Sequence, residues 1–460
     1  GSNRLTINLS GLKRTEDAVG NLVVYRPGSG GGESAATVMV QAHVDMVCEA
    51  NEGVQHDFWK DPIKLIRDGS WIKADGTTLG ADNGIGAAAC LALMEAGPDV
   101  PLPPLECLFT VDEETGLTGA YDLDASMLSA KTMLNLDSED WGTVTVGCAG
   151  GGNNVVRLPV KREDAASSAI PLRITVKGLM GGHSGIDIHQ DRGNAIVMIA
   201  RAVRAAQAAE ESLQLAGVQG GDKHNAIPRE CSATAFVEPG TEGAVRAAVD
   251  AVCAELRSEY GDFETSLKMV TEKVEVDDRL VLADESADKL LSLLELIPNG
   301  VIKKSHVVEG LTETSNNLAS VALDSENADT YKVVASTRSS FSGALEAVRR
   351  QIATLAKVLG AAVEQDEPYA GWAPDMSSPV VQLVKKEMEE LTGKTVELKA
   401  LHAGLECGVL GDKMAGLDMV SFGPTITGAH SPDERVQIDT VQPFWTLILR
   451  TLEKLAQKKA

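Results

Sequence analysis

Four apolar runs in this sequence end in side chains that a strand cannot bury by itself: VQAHVD, LFTVDEETG, LNLDSED and VSFGPTITGAH. A buried carboxylate or imidazole costs several kcal/mol unless it is paired, hydrogen-bonded or bound to a metal. A fifth stretch, GTTLGADNGIG, sets Asp82 in a glycine-rich turn just ahead of a small-residue helix pattern. In open α/β sheets, ligands bind beyond the carboxyl ends of the strands. The five stretches are far apart in sequence, but a sheet could bring them to one edge.

The rhythm around them is that of such a sheet. NLVVY (21–25), TVMVQAH (37–43), LECLFTV (105–111) and TMLNLD (132–137) read as strands, and GIGAAACLALMEAG (84–97) as a helix. This β-α-β alternation predicts a mostly parallel sheet covered by helices. A polar break, KREDAASS (161–168), precedes a different pattern. Strands IPLRITVKG, SATAFVE and TYKVVASTR then alternate with long helical stretches at 193–209, 243–260 and 343–360, which predicts an α+β unit. Within it, GGHSG and SSFSG each precede a long helix, an echo that points to two similar halves.

A second break, QDEPYAGWAPDMSSP (365–379), restores the first style, with a helix from PVVQLVKKEMEELTG, strands TVELKAL and GLDMVSFGP, and a final helix near 440–457. The expected class is α/β. A catalytic domain is made from residues 1–168 and 367–460, and an α+β lid, 169–366, is inserted between them.

Each candidate ligand has a plain reading on its own. His43 could be a satisfied core histidine, and Asp82 a helix cap. Asp112, Glu113 and Glu114 could form an acidic turn, while Asp137 and His430 could cap strand ends. Five such accidents in one chain are improbable. Two histidines with three carboxylates suit two divalent ions, and the imidazoles favour zinc. His43 and Asp45 are two apart and share a strand face, so Asp45 can fix the tautomer of His43.

The formal net charge of −24 disfavours nucleic acid and anionic membranes as partners. No apolar stretch reaches the length of a bilayer span. Seven cysteines, with no pair at C-x-x-C spacing, fit reduced thiols in a cytoplasmic protein. Gly1-Ser2 reads as a cloning remnant, so the natural start is expected to be missing. There is no G-x-S-x-G elbow, no phosphate-binding loop and no cysteine beside a histidine.

Further stretches carry a resemblance. QAHVDMV, HDFWKDPIKL, GTTLGADNGIGAAACLAL, FTVDEETGLTGA, NLDSED, GCAGG, GGHSGIDIHQDRGNAI, HNAIPRE and HAGLECG together resemble the aminoacyl-histidine dipeptidase family (peptidase D, cytosolic nonspecific dipeptidase). That family is related to carboxypeptidase G, aminoacylases and carnosinases. The resemblance covers nearly the whole chain after about residue 17, while the opening GSNRLTINLSGLK departs from the family's helical start.

The resemblance implies two zinc ions per chain, with manganese or cobalt as substitutes. Asp82 bridges them, His43 and Asp137 hold one, and Glu114 and His430 hold the other. It implies Asp45 orienting His43, Glu113 as general base, and His183 of the lid polarising the scissile carbonyl. Asn225 and Arg338 bind substrate. Read as residues alone, His183 could be an exposed turn residue with His189 as a rival, Asn225 a turn former, and Arg338 a surface arginine at a strand end. The implied activity is hydrolysis of dipeptides with a free C-terminal carboxylate, Xaa-His dipeptides included; a homodimer stays open. Two rivals remain: an aminoacylase or carboxypeptidase acting on N-acylated amino acids, and a metal-binding scaffold without turnover.

Overall fold

A computed structural model describes residues 11–458, so Gly1-Ser2 and most of the opening stretch lie outside the described residues. The chain divides into two compact units. The first takes the residues up to Cys148 together with Trp372–Leu401 and the chain from Leu405 on; the second takes Ala149–Gly371 and His402–Gly404.

The first unit is built on an eight-stranded sheet. Its order is Lys13–Glu16, Leu22–Arg26, Leu105–Thr110, Val38–His43, Thr132–Asn135, Asp418–Ser421, Thr143–Cys148, Glu397–Leu401. The middle is parallel, as expected: Val38–His43 runs parallel to both its neighbours, and Thr132–Asn135 to Asp418–Ser421. Antiparallel pairs join the first strands and the step from Asp418–Ser421 to Thr143–Cys148. Every residue of Val38–His43 and Leu105–Thr110 is buried, which requires cover on both faces. Helices Ala81–Met94, Pro379–Thr392 and Ile438–Ala456 contribute Leu93, Val384 and Leu447 to the core on this sheet.

The helix expected at 84–97 is Ala81–Met94. Asp82 and Asn83 have non-helical backbone and the peptide between them is cis, so the regular helix begins after them. It stops early because Pro98 follows Gly97 and disfavours a helical residue before it.

The second unit carries a nine-stranded antiparallel sheet. Its halves share one topology. Ile170–Lys177, helix Ala195–Ala209, Gln214–Gly220, Cys231–Val237, helix Glu242–Tyr260 and Lys268–Lys273 form a β-α-β-β-α-β motif with strand order 4-1-3-2. Gly150–Pro159, helix Asp284–Leu296, Thr312–Leu323, Thr330–Ser339, helix Ser342–Val358 and Ala362–Gln365 repeat that motif and order. The first copy is inserted after the opening strand of the second, and the two second strands meet at Gly220 and Val321. The Ser-Gly echo pointed to two halves, but it aligned the first helix of one copy with the second helix of the other. All four helices share one core with the sheet.

Six of the seven cysteines are buried and Cys48 is exposed, with all seven thiols free. Among the described residues no helix is long and apolar enough to cross a membrane.

Candidate metal centre

The parallel strands of the first unit end at one cluster. His43 is the last residue of Val38–His43, Asp137 follows Thr132–Asn135, and Glu113 and Glu114 follow Leu105–Thr110. Asp82 lies in the turn that opens Ala81–Met94, entered through Gly80 at φ 73°. A side chain at Gly80 would be strained there and would also press on Met46. His430 sits between strands Ile426–Thr427 and Arg435–Gln437, itself at φ 63°.

The two carboxylate oxygens of Asp82 face two different imidazoles. Its Oδ1 is 3.1 Å from His43 Nε2, and its Oδ2 is 3.3 Å from His430 Nε2. His43 Nε2 is also 3.3 Å from Asp137 Oδ1, and His430 Nε2 is 2.9 Å from Glu114 Oε2. One ligand atom from each of His43, Asp82 and Glu114 fits within 4.8 Å of the others.

Polar groups hold this cluster from behind. His43 Nδ1 lies 3.1 Å from the Asp45 carbonyl and 3.5 Å from its carboxylate. That carboxylate accepts the backbone N–H of Glu113 at 3.1 Å and of Glu114 at 3.0 Å. Asn83 Nδ2 donates to Asp137 at 2.6 Å. Beneath, the buried Glu406 accepts from Gln41 at 2.5 Å and Thr110 at 2.7 Å, and Asn135 donates to Gln41.

Electrostatics mark the cluster as short of positive charge. Burial first, then Asp137, pushes Glu113 up to about 9. Burial, with Asp82 and Asp137, pushes Glu139 up to about 8. Asp137 rises to about 6 by burial, in spite of His43. Burial alone would lower His43, but Asp137, Asp45 and Asp82 hold it far above its ordinary range. Hydrogen bonds to Asp82 and Glu114 lift His430 to about 10. Two imidazoles do not balance Asp45, Asp82, Glu113, Glu114, Asp137 and Glu139. A donor set of carboxylate oxygens and imidazole nitrogens with this imbalance fits divalent cations.

The remaining predicted residues lie in the second unit. His183 is half-buried on the short strand Gly182–His183, which pairs with Ala226–Ile227. Its Nδ1 accepts the N–H of Gly185 at 3.2 Å and of Ile186 at 2.9 Å, so a neutral ring carries its proton on Nε2. His189 is exposed, and its Nδ1 lies 2.8 Å from the Ile186 carbonyl, which fixes the opposite tautomer. Asn225 is exposed, and its carbonyl accepts the N–H of Ser184 at 2.8 Å.

Arg338 is 6% exposed, not a surface residue. Its Nη1 donates to Tyr369 at 2.8 Å, its buried Nε has no partner, and no carboxylate pairs with it among the described residues. Near it lies His402, whose Nε2 is 2.7 Å from Ser315 Oγ. Burial, then Arg338 and His183, lowers His402 to about 3.

Sequence reasoning missed Asn83, Glu139, Glu406 and Glu434 around the cluster, and His402 beside Arg338. Glu434 had one available signal, an acid four residues after His430 in HSPDE. The others sit inside quoted motifs without any distinguishing period.

Known proteins match along nearly the whole chain. A family profile, Peptidase family M20/M25/M40, matches residues 39–454. The cytosol non-specific dipeptidase of Escherichia coli (strain K12) is 40% identical over 448 residues, which is 97% of this chain and 91% of that protein. The crystal structure of an aminoacylhistidine dipeptidase from Vibrio alginolyticus is 38% identical, with a TM-score of 0.88 over 96% of this chain and 89% of that one. A tripeptidase from Staphylococcus aureus shares the fold at 17% identity, with a TM-score of 0.52 over 97% of this chain and 90% of its own.

Proposed function

Because the chain belongs to peptidase family M20/M25/M40, we propose that it is a di-zinc dipeptidase for substrates with a free C-terminal carboxylate, Xaa-His dipeptides among them. The observation that carries the metal reading is Asp82, whose two oxygens face His43 and His430 separately. His43, Asp82 and Asp137 would hold one ion, and Asp82, Glu114 and His430 the other. When bound, such ions acidify water and polarise a carbonyl.

The chain's own groups supply the rest. The Asp45 carbonyl accepts from the far nitrogen of His43, with its carboxylate 3.5 Å away, and that carboxylate steadies the backbone of Glu113 and Glu114. Glu113 is the general base: with cations bound to offset the carboxylates that, after burial, raise its pKa, it would ionise, take the proton of the attacking water and return it to the departing amine. His183 donates from Nε2 to the developing oxyanion, a role supported by the two backbone N–H groups on its Nδ1. The opposite tautomer of His189 suits that task less well.

Arg338 anchors the substrate's C-terminal carboxylate. A buried guanidinium with an unused Nε and no acidic partner among the described residues is suited to a carboxylate arriving with the substrate. Asn225, exposed, adds a donor for the substrate. A cytoplasmic location is part of this reading and rests on the name of the E. coli relative.

Hydrolysis of a dipeptide, its N-acetyl derivative and its C-terminal amide by zinc-, manganese- and cobalt-loaded protein tests the proposal. A dipeptidase cleaves the free dipeptide best. Preference for the N-acetyl compound would identify an aminoacylase or carboxypeptidase, and no turnover with any metal would leave a binding scaffold.

A further inference from the structure

His430 rests on a tip braced from within, by Ser431 Oγ donating to the Gly428 carbonyl and the Glu434 N–H donating to the Ser431 carbonyl. It lies between two short strands, its backbone is left-handed, and its side chain is 56% exposed. Yet its Nε2 meets Asp82 and Glu114 at close range. Something must fix this tip against the Asp82 turn, and four residues further on is a carboxylate that reaches it.

Glu434 is 2% exposed. Its Oε2 accepts the backbone N–H of Leu79 at 2.7 Å and of Gly80 at 3.0 Å. Its Oε1 accepts that of Ala81 at 2.7 Å and of Asp82 at 3.2 Å. Four consecutive N–H groups thus converge on one carboxylate, in the turn that precedes the regular part of helix Ala81–Met94. No cationic side chain pairs with Glu434 among the described residues, so these backbone groups are what compensate its burial. Only a carboxylate offers two acceptor oxygens here; an amide would turn a donor toward two of the four N–H groups.

We propose that Glu434 is a positioning residue that locks the Asp82 turn to the loop carrying His430, and so sets the separation of the two. This rests on the metal-centre reading for its consequence, but the lock itself is a property of the metal-free chain. Asp45 uses the same device on Glu113 and Glu114. Together these carboxylates tie the loops of the cluster pairwise from behind, as groups surrounding metal ligands do.

The test compares the full-length protein with Glu434→Gln and Glu434→Asp, all stripped of metal. Peptide-level hydrogen–deuterium exchange reads the amides of residues 79–82, and cobalt titration reads affinity. In Glu434→Gln those amides exchange faster, while the central strands keep wild-type protection. Cobalt affinity falls by about 10–100-fold, the usual effect of removing such a partner, and in the loaded enzyme kcat falls while KM holds. Glu434→Asp keeps the charge on a shorter stem and falls between the two; it carries the test if Glu434→Gln does not fold. Wild-type exchange at 79–82, or wild-type cobalt affinity, in a folded variant overturns the proposal. A wild-type protein that takes up no cobalt would defeat the metal-centre reading, and the exchange arm would still decide the lock.

Discussion

The proposed function gives the neighbours Glu113 and Glu114 different tasks, and single substitutions test that division. Glu113→Gln keeps both metals and loses at least about 10²-fold in kcat, because proton transfer is removed while coordination stays. Metal analysis beside kinetics checks this; a loss of one ion per chain would reverse the assignment of the pair. Asp82→Ala loses both ions, since each oxygen of Asp82 faces a different histidine, whereas His430→Ala weakens chiefly one. Arg338→Ala costs about 2–5 kcal/mol in kcat/KM for a dipeptide, the scale of unpairing a buried charge, and much less for the dipeptide amide. Equal losses on acid and amide would make Arg338 a support of the fold. Residues at this scale were legible unevenly. Apolar runs ending in His or Asp pointed to the strand ends, and His43 and Asp137 do meet there. Glu434 and Asn83 left no such mark, because they act on a backbone and on another side chain from within ordinary loops.

Elements decide whether those strand ends can come together. Gly423 follows strand Asp418–Ser421, and a Cβ there would lie 1.7 Å from the carbonyl of Ser138, next to Asp137. Gly423→Ala therefore costs about 1–3 kcal/mol of overpacking, visible as a lower urea midpoint. The second unit carries a pH signature in His402. Its folded pKa of about 3 lies below the ordinary 6.5, so between these values the unfolded chain binds a proton that the folded one does not. Stability is thus present above pH 6.5 and declines as pH falls from there toward 3. Thermal melts from pH 7 to 5 should fall less steeply in His402→Gln; an unchanged slope would remove His402 as the cause. Helices were legible from apolar spacing, as in Ala195–Ala209 and Ser342–Val358. The strands Gly150–Pro159 and Thr312–Leu323 were not, since GGGNN and TETSNN have little strand propensity. Asn316 on the second of these donates to the Pro298 carbonyl and accepts from Thr337, so tertiary partners and not local propensity hold it in the strand.

At the scale of the molecule, one sheet gathers acidic side chains and another presents a nearly unpaired arginine. The sequence pointed to two halves in the second unit, but not to the β-α-β-β-α-β motif that they share. Its echo is a Ser-Gly pair shared by non-equivalent helices, and one copy interrupts the other. The first unit holds a cluster in which burial and then neighbouring carboxylates raise Glu113, Asp137 and Glu139, so cations that bind only the folded chain should stabilise it. At one hundred times Kd the gain is about 2.7 kcal/mol, and chelation should lower Tm accordingly. Dependence of peptide hydrolysis on two ions held around Asp82 follows from the proposed function. Its most direct measurement is dipeptide hydrolysis by chelator-stripped protein titrated with zinc. Turnover is expected to be absent without metal and full at two equivalents per chain. Turnover that persists in the stripped protein, or that reaches its maximum at one equivalent, would contradict that dependence.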